Sequence, residues 1–313
     1  MYPTVDLWEA LLFLAGGIWA VSWSADRFVD GAAALADRWR LSPFVIGVVI
    51  VGFGTSAPEL AVSACSSASG HASLALGNAY GSNICNIALI LGVMALIRPI
   101  RIKRTIRRYA APVLAATGFV SWLALLYLDG IPRWMGAAMI LLFVNLVRLM
   151  MGDNTNTTRA VPVLKPVRHP WWTATVSLAV LIVASHFVVW GSVVSARRLG
   201  VSELVIGLTI VAVGTSLPEF ATSLAALRRH QTDLVLGNII GSNLFNALAV
   251  VGLSCLIRPV ETIPLGILFR DLPLMTVLTV TLCTRRIRRC LATLWLLVYI
   301  AYVLLLVLRP MTR

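Results

Sequence analysis

The sequence contains one long segment twice. Residues 47–99 and 207–259 align at a constant offset of 160 without a gap, and 23 of the 53 positions are identical. The shared residues include the blocks GTS-x-PE and GN-xx-GSN-xx-N and the closing LIRP. A repeat of this length constrains the fold strongly, because each copy is expected to form the same structural unit. The register extends upstream through Arg38 and Arg198, so each half of the chain forms one unit.

Each unit contains five apolar runs long enough to cross a membrane. The chain is 59% hydrophobic and only 12% charged, which excludes a soluble enzyme, a disordered protein and a coiled coil. A bilayer core requires about 20 apolar residues per helix. The runs that meet this length are 7–25, 42–65, 74–97, 109–128, 131–150, 172–196, 202–226, 233–257, 265–283 and 290–308. Since five is odd, the second unit must enter the membrane from the opposite side.

Two of the ten runs contain a proline inside the repeated motif, Pro58 and Pro218. Each proline lacks an N–H, so the carbonyl four residues earlier loses its helical partner, at Gly54 and Gly214. Broken helices are tolerated at membrane depth where they line a cavity or are buried in protein. We therefore predict an all-α polytopic membrane protein: ten transmembrane helices in two inverted five-helix repeats, with broken helices at the midplane.

The distribution of basic residues predicts the orientation. With the N-terminus outside, 19 of the 26 Lys and Arg residues lie in inner loops, which accounts for most of the net charge of +13. We expect a first repeat at 1–150, a cytosolic linker at 151–170 and a second repeat at 171–313, in the cell (inner) membrane with both termini extracytoplasmic. Nucleic-acid binding is not expected, because the basic residues lie in several short loops. The expected partner of the apolar spans is the lipid bilayer.

Two glutamates lie deep inside apolar runs, Glu59 and Glu219, and both belong to the repeated GTS-x-PE block. A charge at this depth costs at least about 2.5–3.5 kcal/mol on insertion scales, so it requires a partner. The same spans contain no basic residue near these glutamates. A pair of protonated or internally hydrogen-bonded glutamates is the alternative, and a bound cation explains the arrangement better.

Oxygen-bearing side chains surround each glutamate. Hydroxyls lie within a turn of it, and the next span carries a serine and an asparagine four residues apart, on one helical face. These residues are Thr55, Ser56, Ser82 and Asn86 in the first copy and Thr215, Ser216, Ser242 and Asn246 in the second. The set contains no thiol or imidazole, and hard cations such as Ca²⁺ and Na⁺ prefer such oxygen ligands.

The paired blocks GTSAPE with GNAYGSN and GTSLPE with GNIIGSN resemble the two alpha repeats of the cation/calcium antiporter superfamily, in its sodium/calcium exchanger branch. The resemblance covers essentially the whole chain and is closest to the small prokaryotic type. It implies secondary antiport of Ca²⁺ against Na⁺ by alternating access, with no cofactor, and the sliding of helices 1 and 6 across a fixed core. The ion ligands that it implies are Thr55, Ser56, Glu59, Ser82, Asn86, Thr215, Ser216, Glu219, Ser242 and Asn246, with backbone carbonyls at Gly52 and Ala212.

One position departs from the well-studied exchangers, which often carry Asp where Asn246 stands. The four central side chains here are two Glu and two Asn, with a formal charge of −2. One Ca²⁺ balances this charge, as would two Na⁺ or two H⁺. Antiport against H⁺ through the same two-glutamate site is therefore the alternative, and the stoichiometry stays open.

Two other classes of membrane protein fit the sequence less well. A channel would normally show no inverted repeat of broken helices, and a membrane enzyme would need differentiated catalytic groups, whereas the two carboxylates are equivalent. We therefore expect a transporter that is not an enzyme, acting as a monomer. His186, which aligns with Asp26 at the same offset, is either a pH-sensitive group or a histidine that faces a neighbouring helix or cavity.

Overall fold

Helices make up nearly all of the structure, since a helix satisfies the backbone hydrogen bonds of an apolar run within the run itself. The computed structural model describes residues 7–128, 130–152, 167–199, 214–260 and 265–308. Its helices are α1 (Leu7–Arg38), α2 (Pro43–Thr55), α3 (Ala57–Ala68), α4 (Ala72–Ile97), α5 (Ile106–Tyr127), α6 (Arg133–Gly152), α7 (Pro170–Arg198), α8 (Leu217–Arg228), α9 (Thr232–Ile257), α10 (267–281) and α11 (Arg289–Leu308). Two short strands, β1 (Ile100–Arg101) and β2 (Arg286–Ile287), complete the described elements.

Six of these helices are long and apolar enough to cross a membrane: α4, α5, α6, α7, α9 and α11. The pair α2 and α3 counts as a seventh span if it is taken as one bent helix. This count covers the described residues by length and composition, and it confirms a helical protein with several membrane spans.

The first helix is much longer than its apolar run. It continues to Arg38 instead of ending near residue 25. Its second half contains Asp26 and Asp30, whose carboxylates lie 3.3 and 3.1 Å from the guanidinium of Arg229. The ion pairs are formed with a residue 203 positions from Asp26 and 199 positions from Asp30, so the apolar run alone could not predict the end of this helix.

Helices α1 and α7 pack along each other in antiparallel directions. A Cβ on Gly17 would meet Val188, one on Gly31 would meet Ala174, and one on Gly191 would meet Leu14. The contacts therefore move towards the C-terminus of α1 as they move towards the N-terminus of α7. Gly31 and Gly191 are separated by the repeat offset of 160, so the same small residue allows close approach in both copies.

The predicted break is present at Pro58, and the backbone in front of Pro218 has the same conformation. Helix α2 ends at Thr55, and α3 begins at Ala57 with a bend of 48° between them. Ser56 occupies the junction with φ −88° and ψ 8°, and Ser216 has φ −91° and ψ 13° in front of α8. The residues at 202–213, where the first half of the second broken helix is predicted, lie outside the described residues.

Helices α4 and α9 each contain a π-helical segment, Cys85–Leu91 and Phe245–Val250. Asn86 and Asn246 are the second residues of these segments. Short π-helical segments occur often at functional sites, because the wider turn redirects side chains. The sequence pattern had given no sign of them.

Two backbone pairings join the halves of the chain. Ile100 and Arg101 pair with Ile287 and Arg286 in the antiparallel ribbon β1–β2, and Ile131 forms an isolated antiparallel bridge with Val260. In each case the segment after the third run of one half meets the segment before the last run of the other half. The two pairings are therefore equivalent under exchange of the halves.

Candidate cation site

The two motif glutamates lie in the first turns of the helices that follow the breaks. Glu59 is in the first turn of α3 and Glu219 is in the first turn of α8, and both side chains are fully buried. The N-terminus of a helix carries a partial positive charge, so this location favours a carboxylate. Ser56, which directly precedes α3, contacts the carboxylate of Glu219, so Glu59 and Glu219 belong to one site.

Hydrogen-bond donors are scarce around these carboxylates. The hydroxyl of Ser56 donates to Oε1 of Glu219 at 2.8 Å. Among the described residues, no donor reaches Oε2 of Glu219 or either carboxylate oxygen of Glu59. Buried polar atoms are nearly always hydrogen-bonded, and a buried charge without a partner is costly. Three bare carboxylate oxygens are the arrangement that a bound cation would satisfy.

Backbone carbonyl oxygens of α2 contact hydroxyl groups of the site. The hydroxyl of Ser242 donates to the carbonyl of Gly52 at 3.2 Å. Thr55 Oγ1 lies within 3.5 Å of three acceptors: the carbonyls of Val51 and Gly52, and Oδ1 of Asn238. Because the Thr55 hydroxyl carries one hydrogen, it fully satisfies only one of them. The Gly52 carbonyl also accepts the backbone N–H of Ser56 at 3.2 Å, so the Thr55 hydroxyl is shared mainly between the Val51 carbonyl and Oδ1 of Asn238.

Helices α4 and α9 supply the amides and the remaining serines. The Nδ2 group of Asn86 donates to Oδ1 of Asn243 at 3.0 Å, which leaves Oδ1 of Asn86 without a hydrogen-bond donor in the described part of the chain. Asn246 is fully buried, and neither atom of its amide is hydrogen-bonded there. Ser82 and Ser242 are buried one turn earlier on the same helices.

Contacts in the described part of the chain connect five of the twelve residues that the sequence predicted. Contacts link Gly52, Thr55, Ser56, Glu219 and Ser242. Asn86 joins them through the neighbouring α9. Ser216 is buried at the second break and Thr215 is half-buried beside it, whereas Ala212 lies outside the described residues.

Sequence reasoning missed two asparagines of the same motif, Asn78 and Asn238. Each donates a hydrogen bond to the backbone carbonyl of the glutamate in its own repeat, at 3.2 Å for Glu59 and 3.1 Å for Glu219. The signal was available, since an asparagine in an apolar run is identical in both copies.

Other charged groups in the helices lie apart from this site. Asp271, which is 5% exposed, pairs with Arg270 at 2.6 Å near the start of α10. His186 is exposed and its ring lies against Phe187, whereas its repeat equivalent Asp26 pairs with Arg229. No proton-coupling role follows for His186 from these contacts.

All the candidate metal-ligand atoms of the site are oxygens. Among the described residues, no three His, Cys, Asp or Glu side chains are grouped so that they could hold a metal ion. The site relies instead on two carboxylates supported by hydroxyls, amides and carbonyls, a set that suits hard cations and not zinc or copper. Paired carboxylates at broken helices, repeated in two halves of a helical membrane protein, define the class of membrane cation antiporters.

Comparison with known proteins identifies the family. The profile of the family described as sodium/calcium exchanger protein matches residues 9–152 and 169–308. The chain therefore belongs to the sodium/calcium exchanger family, which confirms the resemblance of the motifs. This is a family of membrane transporters and not of enzymes.

Individual relatives agree with this assignment. The chain is 41% identical over 260 residues to the putative antiporter CaxA of Alkalimonas amylolytica, covering 80% of this chain and 81% of the relative. It is 37% identical over 294 residues to the inner membrane protein YrbG of Escherichia coli, covering 88% and 89%. The solved structure of the sodium-calcium exchanger NCX_Mj superposes with a TM-score of 0.82 at 28% identity, covering 96% of this chain and 99% of that one. The chain thus fits the small prokaryotic type.

Proposed function

We propose that the protein exchanges Ca²⁺ for Na⁺ across the membrane by alternating access, with Glu59 and Glu219 at the centre of the ion site. The observation that carries this proposal is the pair of fully buried carboxylates with three oxygens that no described donor reaches. Their combined charge of −2 equals the charge that one Ca²⁺ neutralises. The relative NCX_Mj, which was soaked with Na⁺ and Sr²⁺, gives independent support.

The ligands proposed for the transported ions come from both repeats. Ca²⁺ takes about 6–8 oxygens, and Na⁺ uses the same kinds of oxygen atoms. The proposed set is Glu59, Glu219, Asn86, Asn246, Ser82, Ser242, Thr55, Thr215, Ser56, Ser216, Gly52 and Ala212. Transport by this site requires no nucleotide and no resident cofactor, and one copy of the chain carries all the ligands.

The proposed architecture is ten transmembrane helices in two inverted repeats, 1–150 and 171–313, joined by a linker at 151–170. Three observations support the inversion: the antiparallel packing of α1 and α7, the ribbon β1–β2, and the equivalent bridge of Ile131 with Val260. Alternating access then follows from two equivalent halves around one site. The sliding of α1 and α7 against the remaining helices would open the site to one side at a time.

The proposed orientation places both termini outside the inner membrane. Three pairings put predicted inner loops on one side: β1 with β2, Lys103 with Asp233 at 3.0 Å, and Asp26 with Arg229. The bridge of Ile131 with Val260 joins two loops that are predicted to lie on the other side. These pairings support the sidedness of the loops relative to one another, and the excess of arginine selects the cytosolic face.

Antiport against H⁺ is a second candidate, and Asn246 is the observation that favours it. Without an aspartate at this position, two protons on Glu59 and Glu219 would balance the site as well as two Na⁺. Na⁺ is preferred here because the hydroxyls of Ser56 and Ser242 and the carbonyl of Gly52 supply further oxygen ligands that a proton does not need.

Uptake of ⁴⁵Ca²⁺ into proteoliposomes tests both candidates. The liposomes carry an outward Na⁺ gradient, a pH gradient, both or neither. Uptake that follows the Na⁺ gradient at constant pH supports the main proposal, and uptake that follows only the pH gradient supports the alternative. Equal uptake under all four conditions would overturn antiport itself.

A further inference from the structure

The amides of two asparagines hold the glutamate helices in the same way in both repeats. Asn78 of α4 donates from Nδ2 to the carbonyl of Glu59 at 3.2 Å and to the hydroxyl of Ser63 at 3.0 Å. Asn238 of α9 donates from Nδ2 to the carbonyl of Glu219 at 3.1 Å and to the hydroxyl of Ser223 at 2.9 Å. Each residue of one set is 160 positions from its equivalent in the other.

These bonds are not needed to build the helices. Inside a helix, the carbonyl of residue i accepts the N–H of residue i+4, so the carbonyls of Glu59 and Glu219 have partners within α3 and α8. The asparagine adds a second donor from a neighbouring helix. That donor fixes the height and rotation of the glutamate helix against the helix that carries the serine and asparagine ligands.

Asn238 also connects the two broken helices to each other. Its Oδ1 lies 3.2 Å from the hydroxyl of Thr55, which it shares with the carbonyl of Val51 at 3.0 Å, while its Nδ2 holds α8. Asn238 is 1% exposed, so its amide makes these contacts away from water. One side chain therefore contacts both the end of α2 and the start of α8.

We propose that Asn78 and Asn238 are positioning residues for the Glu59 and Glu219 carboxylates. They act through the glutamate backbone and do not bind the ion. This inference rests on the proposed function, since it takes the two glutamates as Ca²⁺ ligands. Residues that orient metal ligands typically change metal affinity by about 10–100-fold when they are removed.

The test compares each asparagine with the serine whose hydroxyl accepts a second hydrogen bond from the same Nδ2 group. Asn238→Ala removes the bond to the glutamate carbonyl, whereas Ser223→Ala removes only the second acceptor; Asn78→Ala and Ser63→Ala form the matching pair. For the purified full chain, the measurements are the Ca²⁺ concentration that gives half of the maximal thermal stabilisation, and the K0.5 and Vmax of ⁴⁵Ca²⁺ uptake.

We expect both asparagine variants to raise the half-stabilising Ca²⁺ concentration and K0.5 by about 10-fold or more, with Vmax within about twofold. The serine variants should stay within about twofold of wild type. A wild-type Ca²⁺ midpoint in the asparagine variants, with a lower melting temperature without ions, would show a packing role and overturn the inference. Equal loss of affinity in the serine variants would also contradict it.

The half-buried Asn78 gives a second readout if Asn238→Ala does not fold. The proposed function fails separately from this inference. If Ca²⁺ does not stabilise the wild-type protein at any concentration, the site assignment is wrong, and the asparagine comparison then has no basis.

Discussion

The hydroxyl of Ser56, which precedes one carboxylate helix, donates a hydrogen bond to Oε1 of Glu219 at the start of the other, over 2.8 Å. The two repeats therefore share one site instead of forming two separate ones. The reciprocal bond from Ser216 to Glu59 is not formed among the described residues, where both carboxylate oxygens of Glu59 are bare. Sequence-equivalent glutamates thus have different environments.

Neutralising either glutamate should abolish Ca²⁺ uptake. Glu59→Gln and Glu219→Gln keep the side-chain shape but halve the charge that faces the ion, so uptake should fall by about 100-fold or more, beyond the loss typical of a supporting residue. The melting temperature without ions should not fall, because each variant removes a charge that is fully buried away from water. Glu9→Gln, on an exposed part of α1, serves as the control. Wild-type uptake in either variant would refute the site.

The hydroxyl of Ser56 should stabilise the ion-free protein more than that of Ser216. Ser56→Ala removes a donor to a buried carboxylate, with an expected loss of about 1.5–3 kcal/mol in unfolding free energy. Ser216→Ala removes a hydroxyl with no hydrogen bond in the described part of the chain, so its loss should be much smaller. Thermal unfolding without Na⁺ or Ca²⁺ measures both, and equal losses would contradict the asymmetry.

Exchange by the wild-type protein should move little net charge. The site charge of −2 is balanced by one Ca²⁺ or two Na⁺, whereas three Na⁺ would leave a positive charge in a medium of low dielectric constant. Asn246→Asp should make exchange electrogenic by allowing a third Na⁺. The measurement is the transport current of proteoliposomes on a solid support. A clear current from the wild type would defeat the electroneutral stoichiometry.

Close contact between α2 and α9 depends on Gly47. A Cβ at this position would lie 2.8 Å from Cα of Gly237 and 3.0 Å from the carbonyl of Leu234, and neither backbone can yield easily. Gly47→Ala should lower the unfolding free energy by about 1–3 kcal/mol. Gly16→Ala is the control, because a Cβ there meets no described atom within 4 Å. Thermal unfolding in detergent distinguishes them, and equal stability would show that α2 and α9 can separate.

The ion pairs of Arg229 should stabilise the packing of α1 against the end of α8. Arg229→Ala leaves the carboxylates of Asp26 and Asp30 without the cation that lies between them, and we expect a loss of about 1–3 kcal/mol, intermediate between exposed and buried pairs. The adjacent Arg228 is exposed, so Arg228→Ala provides the matched control. The difference in melting temperature between the two variants should shrink in high salt. A difference that does not depend on salt would indicate a packing effect.

Much of the site was predictable from sequence because the signals were local. Glu59 and Glu219 are charges inside apolar runs, and Pro58 and Pro218 break a helix whatever surrounds them. The structure places both glutamates at helix starts in one buried site, as the repeat predicted. The family was also within reach, since the paired motifs span both halves of the chain.

The rest depended on contacts between distant residues. The sequence by itself determined a helical membrane protein, the break at Pro58 and the paired carboxylates, because hydrophobic length, a proline and a charge in an apolar run each act locally. Only the tertiary structure decided that α1 extends to Arg38, that Asn78 and Asn238 hold the glutamate carbonyls, and that Ser56 reaches Glu219. The physical reason is that a hydrogen bond or an ion pair has no donor and acceptor until packing places the two side chains within about 3 Å of each other.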